Sequence, residues 1–260
     1  MQRLRHRIGT IAVLGMLAGI SLPAAATTVL VTGANRGIGL EYARQYAAKG
    51  YTVIATARKP SEAAELNALA TQNKNVKVEA LDVTDLAAID ALAAKYKGTA
   101  IDVLVNNAGV TGFPEKQRFG QIDYASFNDV MDTNVRGPLK MTEAFFEHVV
   151  ASPTRKVVVV TSSEASIAGV NSNRQPFYRA SKAAVNMAMK NVAYAVKDRG
   201  VNILLINPGP VDTDMMKAAR GRMPLRTPTL AVTELIAVTD KATLDQTGTF
   251  WNFDGTVVPW

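Results

Sequence analysis

Six short apolar runs, rich in β-branched residues, alternate along the chain with stretches of helical composition, and this alternation decides what the chain can fold into. The runs are Val29-Leu30-Val31, Thr52-Val53-Ile54-Ala55, Val76-Lys77-Val78, Val103-Leu104-Val105, Val157 to Val160, and Ile203-Leu204-Leu205-Ile206. Most are apolar at consecutive positions rather than alternate ones, so both faces of the strands need cover. Helices are expected over 38–49, 61–72, 85–97, 123–151, 176–199 and 229–241. Strands and helices in this order, joined by right-handed crossovers, give an α/β fold: a doubly wound, mostly parallel sheet of the Rossmann type. No internal repeat and no Gly/Ser-rich linker divides residues 27–260, which read as a single domain.

The residues before that domain have a different character. Arg3-Leu4-Arg5-His6-Arg7 is a basic start, Ile8 to Ile20 is uncharged and mostly apolar, and Pro23 leads into Ala24-Ala25-Ala26. This is the three-part pattern of a secretory signal peptide. The apolar run is shorter than the ~20 residues that a bilayer-spanning helix needs. Residues 1–26 are therefore expected to be a signal peptide, with the mature protein exported to a periplasm-like compartment and keeping no stable membrane span. A retained anchor, or a start codon assigned upstream of a cytoplasmic enzyme, is the alternative.

Composition removes several function classes. The chain has no cysteine, which excludes disulfides, thiolate metal sites and cysteine nucleophiles. Its two histidines, His6 and His148, give no basis for a histidine-rich metal site or a Ser-His-Asp triad. The net charge of +7 includes Arg3, Arg5 and Arg7. The remaining basic residues form no stripe interleaved with aromatics, so no nucleic-acid partner is expected.

The first strand runs into Thr32-Gly33-Ala34-Asn35-Arg36-Gly37-Ile38-Gly39, and a helix follows. Glycine lets the backbone turn tightly and approach a pyrophosphate, while the helix N-terminus presents free N–H groups to that anion. The spacing is Gly-x3-Gly-x-Gly. The second strand ends at Thr56-Ala57-Arg58, where an NAD enzyme places a carboxylate on the adenosine ribose. A carboxylate would repel a 2′-phosphate, whereas Arg36 and Arg58 can bind one through charge-assisted hydrogen bonds. The expected cofactor is NADP(H).

Further motifs follow in order: Asn106-Asn107-Ala108-Gly109, Thr133-Asn134-Val135, Thr161-Ser162-Ser163, Tyr178-Arg179-Ala180-Ser181-Lys182, and Pro208-Gly209-Pro210-Val211-Asp212-Thr213. Each falls at the carboxyl end of an expected strand or on the helix after it. In this order they resemble the short-chain dehydrogenase/reductase family, over essentially all of residues 28–260. The tail Gly248-Thr249-Phe250-Trp251-Asn252-Phe253-Asp254-Gly255, closing in Pro259-Trp260, resembles the C-factor and Sniffer-like carbonyl reductase branch.

Tyr178 and Lys182 are four residues apart and so neighbours on one helix face. A free tyrosine has a pKa near 10, and a lysine ammonium nearby favours the phenolate. Tyr178 can then protonate a carbonyl oxygen as hydride arrives, or deprotonate an alcohol in the reverse direction. The resemblance implies the remaining roles. Ser163 would hydrogen-bond the substrate oxygen, with Ser162 the competing choice. Lys182 would hold the nicotinamide ribose, and Asn134 a water that relays protons from Lys182. Asn107, Ala108 and Gly109 would line the ribose site, Asp82 and Val83 the adenine, and Val211 with Thr213 the nicotinamide carboxamide, with Pro208 also cofactor-binding.

The substrate, a small carbonyl or alcohol, is poorly encoded. Phe113, Phe177, Met215 and Met216 are expected to border its pocket, as adaptable apolar surface or as simple packing. Lys217, Arg220, Arg222 and Arg226 on a lid over about 212 to 227 read as a solvated basic loop rather than a site for an acidic substrate. A second copy of the chain is the other partner left open. The rival function is a non-catalytic dinucleotide-binding redox sensor. The complete set of Asn134, Ser163, Tyr178 and Lys182 argues against it, since a sensor has no need of a proton relay.

Overall fold

The computed structural model describes residues 27–260. Seven strands, β1 (Thr28–Val31), β2 (Thr52–Ala57), β3 (Val76–Ala80), β4 (Val103–Asn106), β5 (Lys156–Val160), β6 (Asn202–Asn207) and β7 (Thr249–Asn252), form one sheet in the order β3-β2-β1-β4-β5-β6-β7. Every pairing within it is parallel. The helices are α1 (Gly37–Ala48), α2 (Ala64–Gln72), α3 (Leu86–Lys95), α4 (Phe127–Met131), α5 (Gly137–Ala144), α6 (Phe146–Val150), α7 (Pro176–Val196) and α8 (Pro228–Lys241).

The unbroken apolar runs have the consequence expected of them. Strand side chains alternate between faces. Val29, Val31, Val158, Val160, Leu204 and Ile206 join one core with residues of α1, α2 and α8. Leu30, Val157, Val159, Ile203 and Leu205 join a second core with residues of α3, α5, α6 and α7. Full burial of one such side chain contributes about 1.5–3 kcal/mol, so both layers are strongly specified.

Two departures from the sequence expectation bear on the site. The seventh strand was not among the six runs, because Thr249-Phe250-Trp251-Asn252 is short and polar at both ends; β6 recruits it at the sheet edge. The single helix expected over 123–151 is broken. A 3-10 turn at Tyr124–Ser126 precedes α4, a π-helical turn spans Asp132–Arg136, and α5 and α6 follow. Pro138 has no N–H to give the Asn134 carbonyl four residues back, so a regular α-ladder cannot continue there. The turn widens instead, and the Gly137 N–H reaches the Asp132 carbonyl five residues back.

The expected signal peptide, residues 1–26, lies outside the described residues. Among the described residues no helix is long and apolar enough to cross a membrane. The strand order reverses between β1 and β4, and the crevice at the carboxyl ends of these strands is where an open α/β sheet binds ligands. The glycine turn after β1, the Asn107-Ala108-Gly109 segment after β4, and the loops after β5 and β6 all open at that end.

Candidate active site

The glycine turn is shaped for an anion. Gly33 has φ +64°, and a Cβ there would stand 3.0 Å from the Ala108 Cα. A Cβ on Gly39 would collide with the Gly33 carbonyl oxygen at 2.3 Å and the Asn107 Nδ2 at 2.4 Å. The turn is thus pressed onto the segment after β4. Asn107 fixes that contact by donating from Nδ2 to the Thr32 and Gly33 carbonyls at 2.9 and 3.1 Å. The Thr32 hydroxyl oxygen accepts the N–H groups of Asn107 and Ala108 at 3.0 and 3.1 Å. Asn107 therefore works on the protein's own backbone, and Thr32, which sequence reasoning passed over, is its counterpart.

Helix α1 begins at this turn with no side-chain cap and no acidic residue in its first turn. By contrast, Asp85 caps α3 and Thr227 caps α8 through their side chains. The uncapped amides of α1 and the cradle in front of them suit the pyrophosphate of a dinucleotide. Ile38 packs on the core behind the turn, and Asn35 is half-buried within it.

The two arginines expected at a 2′-phosphate are exposed, each beside a carboxylate. Arg58 Nη1 is 4.0 Å from Asp82 Oδ2, and Arg36 Nη1 is 3.1 Å from Asp214 Oδ2. Exposed pairs of this kind hold weakly and leave the guanidinium groups available to a stronger anion. Asp82 also accepts the N–H and hydroxyl of Thr84 at 2.9 and 2.8 Å, and the Val83 carbonyl presses on Gly137 at the start of α5.

The loop after β6 comes back over the glycine turn: a Cβ on Gly37 would lie 3.2 Å from the Thr213 Cγ2. Val211 is buried and bridges to Arg226. Arg226 is not a solvated lid cation as the sequence suggested. It donates to the Pro208 carbonyl at 3.0 Å, pairs with Glu234, and lies 3.7 Å over the Phe253 ring. Arg220 is paired too, with Asp212 at 2.6 Å.

Tyr178 and Lys182 lie on α7 as their spacing requires, with the lysine Nζ 5.9 Å from the tyrosine ring centre. Of the two serines, Ser162 is the one whose hydroxyl bears on the Tyr178 phenol, favouring its ionised form. Ser163 is exposed, which favours Ser162, the competing choice. The reason lies in β5. The Thr161 N–H still bonds the Ile206 carbonyl at 2.9 Å and extends the ladder, so the loop starts at Ser162. Ser162 then caps the short turn Ser163–Ala165, accepting the Glu164 N–H, and the turn carries Ser163 away from the cleft.

Burial pushes the Tyr178 phenol above its ordinary value; the Ser162 hydrogen bond pulls it back, and the Glu164 carboxylate adds to the rise. Burial also pulls the Lys182 ammonium down to about 8. The expected push of lysine toward a phenolate is thus outweighed by desolvation, which favours the neutral form of each group. Lys182 Nζ donates to the Val160 carbonyl at 2.8 Å, across to the end of β5.

Asn134 is brought to the same place by the π turn, and its side chain is fully engaged. Oδ1 accepts the Val110 N–H at 2.8 Å, while Nδ2 donates to the Val110 carbonyl at 2.8 Å and to Ser181 Oγ at 2.9 Å. A Cβ on Gly109 would lie 3.3 Å from Asn134 Oδ1 and 3.5 Å from Lys182 Nζ, so Gly109 occupies the point where these two residues meet.

Of the residues expected at the substrate pocket, Phe113 and Met215 are exposed and Met216 is half-buried. Phe177 is buried instead, with its ring against Tyr124 and Phe127. Gln117, unnoticed in the sequence, is fully buried there. It donates to the Thr111 carbonyl at 2.7 Å and accepts the Phe177 N–H at 3.1 Å, holding the loop after β4 to the start of α7.

Residues 27–223 match the family model for the short chain dehydrogenases. The chain belongs to the short-chain dehydrogenase/reductase family. It is 35% identical over 237 residues to the 1-hydroxy-2-glutathionyl-2-methyl-3-butene dehydrogenase of Rhodococcus sp. (strain AD45), covering 90% of this chain and 100% of that one. Among solved structures, the NADPH-bound carbonyl reductase from chicken fatty liver superposes with a TM-score of 0.82 at 29% identity, covering 90% of this chain and 99% of the other. The carbonyl reductase Sniffer of D. melanogaster gives 0.82 at 26% identity, with 90% and 100% covered. Within the family these likenesses place the chain in the carbonyl-reductase-like branch, as an oxidoreductase.

Proposed function

We propose that the protein is an NADP(H)-dependent reductase of small carbonyl compounds, with Tyr178 as the acid that protonates the substrate oxygen. The observation that carries this is Tyr178 and Lys182 one turn apart on α7, with Lys182 buried and its Nζ donating to the Val160 carbonyl just ahead of Ser162. When bound, NADPH supplies the hydride. Gly33, Asn35, Gly37, Ile38 and Gly39 would cradle its pyrophosphate, and Arg36 and Arg58 would bind its 2′-phosphate. Asp82 and Val83 would serve the adenine, Asn107 to Gly109 the ribose region, and Val211 and Thr213 the carboxamide, with Pro208 also on the cofactor side.

The protein's own part is to manage one proton. Ser162 donates to the carbonyl oxygen and orients it toward the Tyr178 hydroxyl. That hydroxyl, kept protonated by burial, transfers its proton to the oxygen as negative charge develops there. The phenolate left behind lies on the same helix face as Lys182, whose ammonium stabilises it and leads the proton path back toward solvent. The Asn134 side chain is committed to Val110 and Ser181, so its contribution to that path is its backbone carbonyl, which Pro138 cannot cap. NADPH absorbance decay with a panel of aldehydes, ketones and quinones tests the proposal. Turnover of at least one carbonyl class is expected, and none across the panel would overturn it.

A further inference from the structure

The loop of residues 163–175 starts at Ser162 and ends at α7, two residues before Tyr178, so it joins the two groups that would hold the substrate oxygen. Arg179 of α7 ties it near both ends, by an ion pair with Glu164 close to its start and by a bond from Nη2 to Ser172 Oγ at 3.0 Å close to its end. Its middle is held by something remote in sequence. The main-chain oxygen of Trp260 accepts the Ile167 N–H at 2.7 Å, the Ala168 N–H at 3.1 Å and the Ser166 hydroxyl at 3.3 Å. Three donors from consecutive residues of the loop thus converge on one acceptor.

That acceptor is itself fixed from both sides. The chain after β7 turns back along it, with Val258 N–H bonded to the Phe250 carbonyl at 2.8 Å and Trp251 bridged to Val257. The indole packs 5.5 Å from the Phe250 ring, and Lys190 Nζ lies 4.4 Å over it. Lys190 is on α7, two turns beyond Lys182. One residue therefore links the sheet edge, the helix that carries Tyr178 and the loop that starts at Ser162.

We infer that Trp260 is a positioning residue for the substrate: it holds the 163–175 loop so that Ser162 and the pocket wall beyond it keep their place relative to Tyr178. This rests on the carbonyl-reductase reading given above. Among the described residues no hydrogen bond, ion pair or ring contact joins Trp260 to the glycine turn or to Arg36 and Arg58, so the effect falls on the carbonyl substrate and spares the dinucleotide.

Trp260→Ala removes the indole that seats this main-chain oxygen, and Trp260→Phe keeps an aromatic ring there. For the full chain, the alanine variant should raise KM for the carbonyl by about tenfold with a smaller change in kcat, at unaltered NADPH affinity. The phenylalanine variant should recover most of it. Amide hydrogen exchange at Ile167 and Ala168 should quicken in the alanine variant, while exchange at β1 and β4 stays as in the wild type. The exchange arm needs no turnover, so it reads the loop even if the proposed activity fails. Ser166→Ala, which deletes one of the three donors and leaves Trp260 in place, should show a smaller shift in the same direction. Wild-type KM and wild-type exchange in Trp260→Ala, or a loss of NADPH affinity equal to the loss for substrate, would overturn the inference.

Discussion

Lys182 Nζ donates to the Val160 carbonyl at 2.8 Å and thereby pins the middle of α7 to the end of β5. The lysine is buried, and among the described residues no carboxylate forms an ion pair with it. Burial brings its pKa from 10.5 down to about 8, with a consequence for both activity and stability. Carbonyl reduction at saturating NADPH should fall as pH rises through about 8, where the ammonium is lost. For stability the sign is opposite. Between pH 8 and 10.5 the unfolded chain binds more protons at this site than the folded one, so this group's burial cost, full below 8, fades as pH rises through that window. Lys182→Met should then be inactive yet melt roughly 2–6 °C higher near neutrality. A pH profile of kcat and a thermal melt check the two halves; a lower melting temperature for the methionine variant would contradict the second.

Ser162 and Ser163 are separated by a direct comparison. Ser162→Ala should lower kcat/KM for a carbonyl by about 10²-fold, the scale of one donor lost at a developing oxyanion. Ser163→Ala should stay within a factor of two or so, since exposed substitutions away from structural features are close to neutral. Steady-state kinetics on both variants with one substrate decides it, and a larger loss for Ser163→Ala would restore the other serine.

Tyr178→Phe keeps the ring and removes the transferable proton. Turnover should drop at least ~10²-fold while NADPH binding, followed by fluorescence, changes little. Near-native single-turnover rates in this variant would remove Tyr178 from the chemistry.

The parts of the site that were legible in the sequence are those fixed by local spacing. Tyr178 and Lys182 had to share a helix face, and Gly33 had to end a strand, because both relations are set within one turn of chain. The choice between Ser162 and Ser163 was not legible because it depends on where β5 stops pairing with β6, which is the Thr161 to Ile206 bond. Asn134 was found as a motif, yet the π turn that aims it follows from Pro138 and was hidden inside an expected continuous helix. Arg226 looked like a solvated cation because its partners, Pro208, Glu234 and Phe253, come from three separate segments. β7 escaped for a related reason: four residues with polar ends become a strand only when β6 offers an edge.

The basic, apolar and small-residue pattern of residues 1–26 supports a proposal about location. The sheet engages the chain from Thr27 onward: the Thr27 carbonyl accepts the Thr52 N–H at 2.9 Å, and the Thr28 N–H donates to Asp102 Oδ2 at 2.7 Å. Cleavage after Ala26 would leave both bonds in place. The first 26 residues contain no Arg-Arg pair, so the route for exporting folded, cofactor-loaded proteins has no signal there. We propose an exported mature protein starting near Thr27. N-terminal sequencing after cell fractionation is the check: a soluble cytoplasmic chain beginning at Met1, or at an internal methionine such as Met16, would refute it.

Arg58 provides the test of cofactor choice. Its side chain is exposed at the end of β2, where an NAD enzyme has a carboxylate, and its contact with Asp82 is loose at 4.0 Å. A 2′-phosphate brings close to two negative charges and three acceptor oxygens, enough to draw the guanidinium from that pair. Arg58→Asp removes a cation and adds a repelling charge only where the phosphate would lie, since NADH has a hydroxyl there. The variant should lose NADPH affinity by about 10²-fold, as expected for a charge-assisted contact turned into a repulsion, and lose NADH affinity by little. Arg36→Ala should have the same selectivity with a smaller amplitude, because it removes a cation without adding a repelling charge. Fluorescence titration of both cofactors against wild type and both variants measures this. A wild type that binds NADH more tightly than NADPH would show that the missing carboxylate at Ala57-Arg58 does not set the preference.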